Sequence, residues 1–171
     1  VTELALTELG VAALHAPMAF DNNGKLLAAG VLATANNKAQ TPPQLLLCDL
    51  EIPGCEPFPG QAGATSVSAF TVHPLDGNLF VADSVTGELL KFGPDGELLA
   101  RAALDLPASP ILRLDSGLLF TNSPAGPGIR VFRYEDEAFG QQLDEVLLLP
   151  PNADLAGFTG VRDFIWNGEH W

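Results

Sequence analysis

The feature that most constrains this chain is a pattern of strand, tight turn and apolar strand that occurs three times. The copies lie at residues 20–29, 72–83 and 112–122, and in each turn a glycine follows Asn, Asp or Ser. A fourth copy begins at 164–168. Successive turn glycines lie about 40 to 50 residues apart, which is the spacing of β-propeller blades. The repeat therefore predicts an architecture more strongly than it predicts a chemistry.

The second copy predicts a complete four-stranded antiparallel unit. Its strand-like runs are 67–72, 78–83, 88–92 and 97–102, with glycine-containing turns between them. So small a sheet would expose apolar side chains on both faces, so it must stack against sister sheets. We therefore predict an all-β fold, a β-propeller fragment of four-stranded antiparallel blades. Phe20, Val72 and Leu114 should lie on the innermost strands, and no helix should exceed two turns.

The whole chain, 1–171, is expected to form a single propeller-like domain. Its blades are expected at about 16–60, 67–105 and 108–150, with a partial blade at 158–171. Three blades and one hairpin are too few to close a ring, so we expect a segment of a longer protein.

Open blade faces at the two ends of the series are expected to be apolar. Residues 4–9 should supply an outer strand to a further blade, and Leu4 and Trp166 should lie on the exposed faces. Exposed apolar sheet surface promotes pairing, so self-association through the blade edges is predicted.

The charge balance limits the possible partners. The chain has 21 acidic and 8 basic residues, a net charge of −13, and the basic residues form no run. A phosphate backbone or an anionic membrane surface needs clustered positive charge, so neither is an expected partner.

No apolar run of 18 residues is present, so membrane insertion of this segment is not expected. The chain starts at Val1 without a signal peptide, as in a processed secreted protein or a domain of a larger one.

The two cysteines flank a turn signal. Cys48 and Cys55 lie on either side of Pro53-Gly54, which allows a loop that joins two antiparallel strands. A local disulfide is the favoured interpretation, and free thiols are the alternative. A disulfide would imply an oxidising, extracytoplasmic compartment, either periplasmic or secreted.

The stretches 74–84 and 87–98 resemble an NHL-type blade and are similar to blades of the gluconolactonase/regucalcin-like group. The resemblance is closest over 67–102 and extends less closely over 108–149 and 15–58. It implies a six-bladed propeller scaffold, which serves many functions. The favoured function is a non-catalytic extracytoplasmic domain that binds a ligand or a protein.

A metal-dependent hydrolase of the lactonase type is the alternative that the resemblance implies. That group holds a divalent metal with oxygen ligands at the channel mouth. Asp83 matches one ligand position, but His15 and Ser68 stand where a Glu and an Asn are expected. One match and two departures predict no metal, no cofactor and no catalytic residue. The candidate ligand-binding residues at the channel mouth are His15, Ser68, Asp83 and Asn122.

The same residues have structural interpretations. Asp83 ends a strand, where a carboxylate commonly accepts hydrogen bonds from backbone N–H groups of the next turn. Asn122 holds the equivalent position in the third copy. His73 stands next to Pro74 in a turn and is expected to be exposed.

Overall fold

The computed structural model describes residues 5–33, 43–60, 66–83, 85–107, 109–115, 117–124 and 128–147, except for the side chains of 15, 16 and 147. Twelve strands lie in this part of the chain. They are β1 Val11–Phe20, β2 Leu26–Leu32, β3 Gln44–Asp49, β4 Gly54–Pro57, β5 Val67–Val72, β6 Leu79–Asp83, β7 Glu88–Phe92, β8 Leu98–Ala103, β9 Leu112–Asp115, β10 Leu118–Asn122, β11 Gly128–Arg133 and β12 Gln142–Leu147. A single 3₁₀ turn, Asp136–Ala138, lies between β11 and β12.

The strands form three antiparallel sheets in chain order. Sheet 1 contains β1 to β4, sheet 2 contains β5 to β8, and sheet 3 contains β9 to β12. The first strand of sheet 2 lies next to the first strands of the other two sheets, as in blades arranged around an axis. Phe20, Val72 and Leu114 lie on these first strands. The predicted all-β fold is therefore confirmed, and no α-helix occurs among the described residues.

Sheet 2 is packed on both faces because strand side chains alternate between the two sides. Leu79 and Val81 of β6 point into a core shared with sheet 1, together with Leu27 and Leu45. Phe80 and Ala82 point into a second core, shared with sheet 3. All five residues of β6 are buried. The burial of every residue of β6 is thus explained by a sheet that packs on each of its two faces.

The hairpin turns follow one local design. Asp21, Asp76 and Asp95 each accept a hydrogen bond from the backbone N–H two residues later, at 2.9, 2.9 and 3.2 Å. A glycine with positive φ lies within each turn, and at Gly77 this angle is +72°. Short acidic side chains and glycine stabilise such turns, which explains the repeated Asp-Gly and Asn-Gly signals.

The Cys48–Cys55 disulfide is present. The two residues are Cα partners across β3 and β4, 4.0 Å apart, and their sulfurs are bonded. The prediction of a local bridge across a hairpin is confirmed.

The expected outer strand at 4–9 is wrong for the residues that are described. Residues 6–10 form hydrogen-bonded turns, in which Ala5 O accepts from Glu8 N at 2.9 Å. Leu9 is 5 % exposed and packs on Leu46 and Cys48 of sheet 1, so burial of this side chain favours a compact turn over a free strand. Leu4, Trp166 and the expected partial blade at 158–171 lie outside the described residues.

Candidate functional site

Asp83, the one residue that matches a lactonase-type ligand position, ends β6 and is fully buried. Its Oδ1 accepts hydrogen bonds from the N–H groups of Val85 and Thr86, at 3.0 and 3.2 Å. Its Oδ2 accepts from the N–H of Ser66, at 3.3 Å, just before β5 begins. The carboxylate therefore fastens the end of the second strand to the start of the first and shapes the turn that follows.

Asn122 performs the same task in sheet 3. Its Oδ1 accepts a hydrogen bond from the N–H of Ile111 at 2.8 Å, and its Nδ2 donates to the carbonyl of Ser109 at 3.1 Å. Both partners lie in the segment that leads into β9. We call Asp83 and Asn122 the strand-end brackets, because each joins the end of a second strand to the entry of a first strand.

In sheet 1 the corresponding link, between the end of the second strand and the start of the first, is made by the backbone alone. The N–H of Ala33, just after β2, donates to the carbonyl of Gly10, just before β1, at 2.9 Å. No side chain is needed for that link. The polar brackets are therefore specific to sheets 2 and 3 among the described sheets.

The two remaining candidates lie on first strands beside irregularities of pairing. Ser68 is half-buried in β5, where the register shifts between Val67 and Ala69. Val67 is the Cα partner of Asp83, so Ser68 and Asp83 lie at the same end of sheet 2. His15 lies in the middle of β1, paired with Ala29. The four candidates are thus distributed over three sheets.

A second polar cluster, which the sequence did not reveal, lies between sheets 2 and 3. His73 Nδ1 is 2.7 Å from Asp76 Oδ1, and His73 Nε2 is 3.0 Å from the hydroxyl of Tyr134. The His73 side chain is only 15 % exposed, so its expected exposure is wrong. The reason is Tyr134, which follows β11 in sheet 3 and whose ring packs against the imidazole at a centroid distance of 5.4 Å and a tilt of 59°.

The geometry decides where the proton of the imidazole lies. A carboxylate only accepts hydrogen bonds, so Nδ1 of His73 donates to Asp76, and Nε2 at the other edge of the ring is the hydrogen-bond partner of the Tyr134 hydroxyl. Partial burial raises the pKa of Asp76, but hydrogen bonds from the Asn78 N–H and from His73 outweigh it and leave this pKa below its ordinary value. Asp76 therefore stays ionised at neutral pH.

An ion pair crosses the same interface. Lys91 Nζ, in sheet 2, is 2.6 Å from Asp136 Oδ1 in the β11–β12 connection, and the Lys91 side chain is 8 % exposed. The ammonium group also lies 5.9 Å from the centre of the Phe80 ring. Tyr134 packs against that ring from sheet 3, at 5.3 Å. These contacts make a polar seam along an otherwise apolar interface.

The hydrogen bonds of this cluster hold the side chains of His73, Asp76 and Tyr134 in place, but the described residues form no recognisable cation site there. Among the described residues, no group of three or more His, Cys, Asp and Glu side chains is placed to hold a metal ion. No helix in the same part of the chain is long and apolar enough to cross a membrane.

The fold is similar to a known propeller. No protein-family model matches the chain, and no curated protein matches it in sequence. Two structures of AztD from Citrobacter koseri, a β-propeller protein, match with a TM-score of 0.50 and 14 % identity, and one of them is the apo form. The match covers 75 % of this chain and 34 % of that chain. At this identity the likeness shows the fold alone, and the chain spans about a third of the matched protein's length.

Proposed function

We propose that this chain is a non-catalytic part of an extracytoplasmic β-propeller that binds a ligand or a protein. One observation carries the proposal. Asp83 is fully buried, and both of its carboxylate oxygens accept backbone N–H groups. The residue that a lactonase-type enzyme would use for metal binding therefore stabilises the end of β6 and the backbone around it.

The brackets favour a binding role because they fix the points from which loops leave the sheets. Asp83 immediately precedes the β6–β7 loop, and Asn122 immediately precedes the β10–β11 loop. Rigid β-scaffolds commonly carry their binding residues on such loops, while the sheet supplies support. A buried, hydrogen-bonded bracket at the base of a loop restricts its motion and lowers the entropic cost of binding.

The disulfide supports the extracytoplasmic location. Cys48 is fully buried and joined to Cys55 across a hairpin. Cytosolic reductants keep most thiols reduced, so a structural disulfide favours a secreted or periplasmic protein.

A hydrolytic metal centre at Asp83 would have a clear energetic obstacle. A cation would have to enter a site that is closed to solvent, since Asp83 is 0 % exposed, and share its oxygens with the N–H groups of Ser66, Val85 and Thr86. Any of these N–H groups that lost its partner without gaining water would cost about 1–3 kcal/mol. We therefore propose the binding module and not the hydrolase.

The experiment compares thermal unfolding of the wild type and Asp83→Asn with and without calcium, zinc and manganese, alongside lactone hydrolysis. We expect no metal-dependent rise in Tm, and a lower Tm for Asp83→Asn that is the same with and without metal. Asp95→Asn, in an exposed turn, is the matched control. A rise in Tm with metal that Asp83→Asn abolishes together with lactone hydrolysis would instead establish the enzyme, since binding to the native state stabilises it by mass action.

A further inference from the structure

Residues 6–10, which form the turns before β1, lie against both cysteines of the disulfide. We call this segment the cap. Leu9 packs in one apolar cluster with Cys48, and the half-buried Cys55 packs against the same cluster. The carbonyl oxygen of Leu9 also accepts a hydrogen bond from the N–H of Cys55 at 3.0 Å. One cap residue is therefore joined to one cysteine by packing and to the other by a hydrogen bond.

The same residue is the anchor of the cap. Leu9 is 5 % exposed and is the only buried residue of the cap, whereas Leu6 is 43 % exposed. The turns themselves are closed by local hydrogen bonds, from Gly10 N–H to the carbonyl of Thr7 at 3.3 Å and from Val11 N–H to the carbonyl of Leu6 at 3.1 Å. The attachment of the cap to β3 and β4 therefore depends on Leu9.

Reduction of the disulfide changes the space beneath Leu9. Cys48 is fully buried and is the Cα partner of Cys55 across β3 and β4. Two thiol sulfurs are not bonded, so they must separate to van der Waals distance, and in a close-packed interior this separation displaces a neighbour. Leu46 is fixed within the strand pairing of β3, whereas Leu9 lies in a turn. The cap is therefore the neighbour that moves most easily.

We propose that the Cys48–Cys55 disulfide is a redox-sensitive switch for the cap. The cap is bound to sheet 1 while the disulfide is intact, and it is released when a dithiol reduces the bond. None of the candidate ligand-binding residues lies in the cap, so the switch is independent of the proposed ligand-binding role.

The reduction is a thiol–disulfide exchange with a dithiol as the electron donor. Cys48 is fully buried and Cys55 is half-buried, so a thiolate of the dithiol attacks the sulfur of Cys55. The S–S bond breaks, Cys48 leaves as a thiolate and takes up a proton, and Cys55 forms a mixed disulfide with the reagent. The second thiolate of the reagent then attacks the reagent's own sulfur in that bond and releases Cys55, which takes up a proton. The dithiol thus loses two electrons and two protons to the two cysteines and becomes a cyclic disulfide.

Hydrogen exchange followed by mass spectrometry, on native protein with and without dithiothreitol, tests the release of the cap. Peptides that contain residues 6–11 should exchange at least several-fold faster after reduction, because the turn amides lose protection when the cap opens. At short labelling times β6 should stay unexchanged in both states, since core amides exchange only on global unfolding. The double variant Cys48→Ser, Cys55→Ser should exchange like the reduced wild type and should not respond to dithiothreitol. Unchanged exchange of the cap on reduction, or uptake in β6 as early as in the cap, would contradict the switch.

Coupling between the cap and the disulfide is reciprocal, so release of the cap must also favour reduction. Leu9→Ala removes the buried anchor and should give fast exchange of the cap while the disulfide is intact. In a buffer of reduced and oxidised dithiothreitol, thiol labelling at equilibrium should show a ratio of reduced to oxidised protein several-fold above that of the wild type.

Two control variants change exposed side chains close to the switch. Leu6→Ala lies in the cap itself, and Ile52→Ala lies in the β3–β4 turn, where Ile52 is 79 % exposed. Both should keep the redox ratio of the wild type. A wild-type ratio in Leu9→Ala, or a shift in either control as large as that in Leu9→Ala, would overturn the proposal.

Discussion

Sheets 1 and 2 derive from copies of one sequence pattern, but their surroundings differ. In sheet 2 every residue of β6 is buried, because sheets lie on both sides. In sheet 1 one face packs on sheet 2, and the other is partly covered by the turn segment at 6–10 and leaves Phe20 exposed. The local pattern produces the same strands and turn in both, while the neighbours decide which side chains contribute to the core.

The outer hairpins of the two sheets show a second difference. In sheet 2, β7 and β8 are held by packing, with Phe92 1 % exposed in the core and paired with Leu98. In sheet 1 the corresponding strands β3 and β4 are joined covalently by Cys48 and Cys55. A cross-link adds stability independently of a neighbouring sheet, which suits the sheet with fewer neighbours.

The largest expected effect compares one aromatic residue in each sheet. Phe80→Ala should lower the free energy of unfolding by about 3–5 kcal/mol, since it leaves a cavity between sheets 2 and 3. Phe20→Ala should lower it by less than about 1 kcal/mol, since its side chain is largely exposed. Urea denaturation measures both values. Equal losses would show that sheet 1 is covered as completely as sheet 2.

The strand-end bracket of sheet 2 should have the next largest effect. Asp83→Ala removes the acceptor of three backbone N–H groups, and we expect a loss of about 2–4 kcal/mol. Asp21→Ala, in the exposed turn of sheet 1, should cost about 1 kcal/mol or less. Thermal unfolding of both variants makes the comparison. If Asp83→Ala were as mild as Asp21→Ala, the bracket would not stabilise the sheet.

The disulfide of sheet 1 should contribute about 2–3 kcal/mol. The double variant Cys48→Ser, Cys55→Ser should show this loss in urea, and the wild type should show it on reduction. The double variant itself should not respond to the reductant, which controls for other effects. A thiol titration of native, unreduced protein that detects two free sulfhydryls would contradict the bridge.

The smallest expected effect is the pH dependence at Asp76. Because the pKa of Asp76 is lower in the folded state than its ordinary 3.8, its contribution is fully present well above pH 3.8 and is lost as the pH falls through the folded pKa. The side chain is 51 % exposed, so solvent screening keeps the contribution below about 1 kcal/mol. The Tm difference between wild type and Asp76→Asn should shrink as the pH falls from 5 to below 3.8. A difference that stays constant over this range would show that the carboxylate charge is not involved.

The candidate site was only partly accessible from the sequence. The contacts of Asp83 with the next turn were predicted, because a strand-end carboxylate commonly accepts hydrogen bonds from the N–H groups that follow it. The links from Asp83 to Ser66 and from Asn122 to Ile111 were not visible, because they join residues 17 and 11 positions apart. The pairs His73–Tyr134 and Lys91–Asp136 were not visible either, because their members are 61 and 45 residues apart. The only signal that could have suggested the seam was a histidine and a lysine within strands and turns otherwise rich in apolar residues.

By itself, the sequence determined the structural elements that depend on interactions between residues close together in the chain. Alternating apolar residues, Asp and Gly in turns, and two cysteines across a hairpin act over a few residues, so they specified the strands, the turns and the Cys48–Cys55 bridge. Only the tertiary structure decided that His73 is half-buried against sheet 3 and that Phe20 is exposed on sheet 1. Burial depends on what packs against a face, and contacts between sheets join residues whose distance along the chain leaves no local pattern.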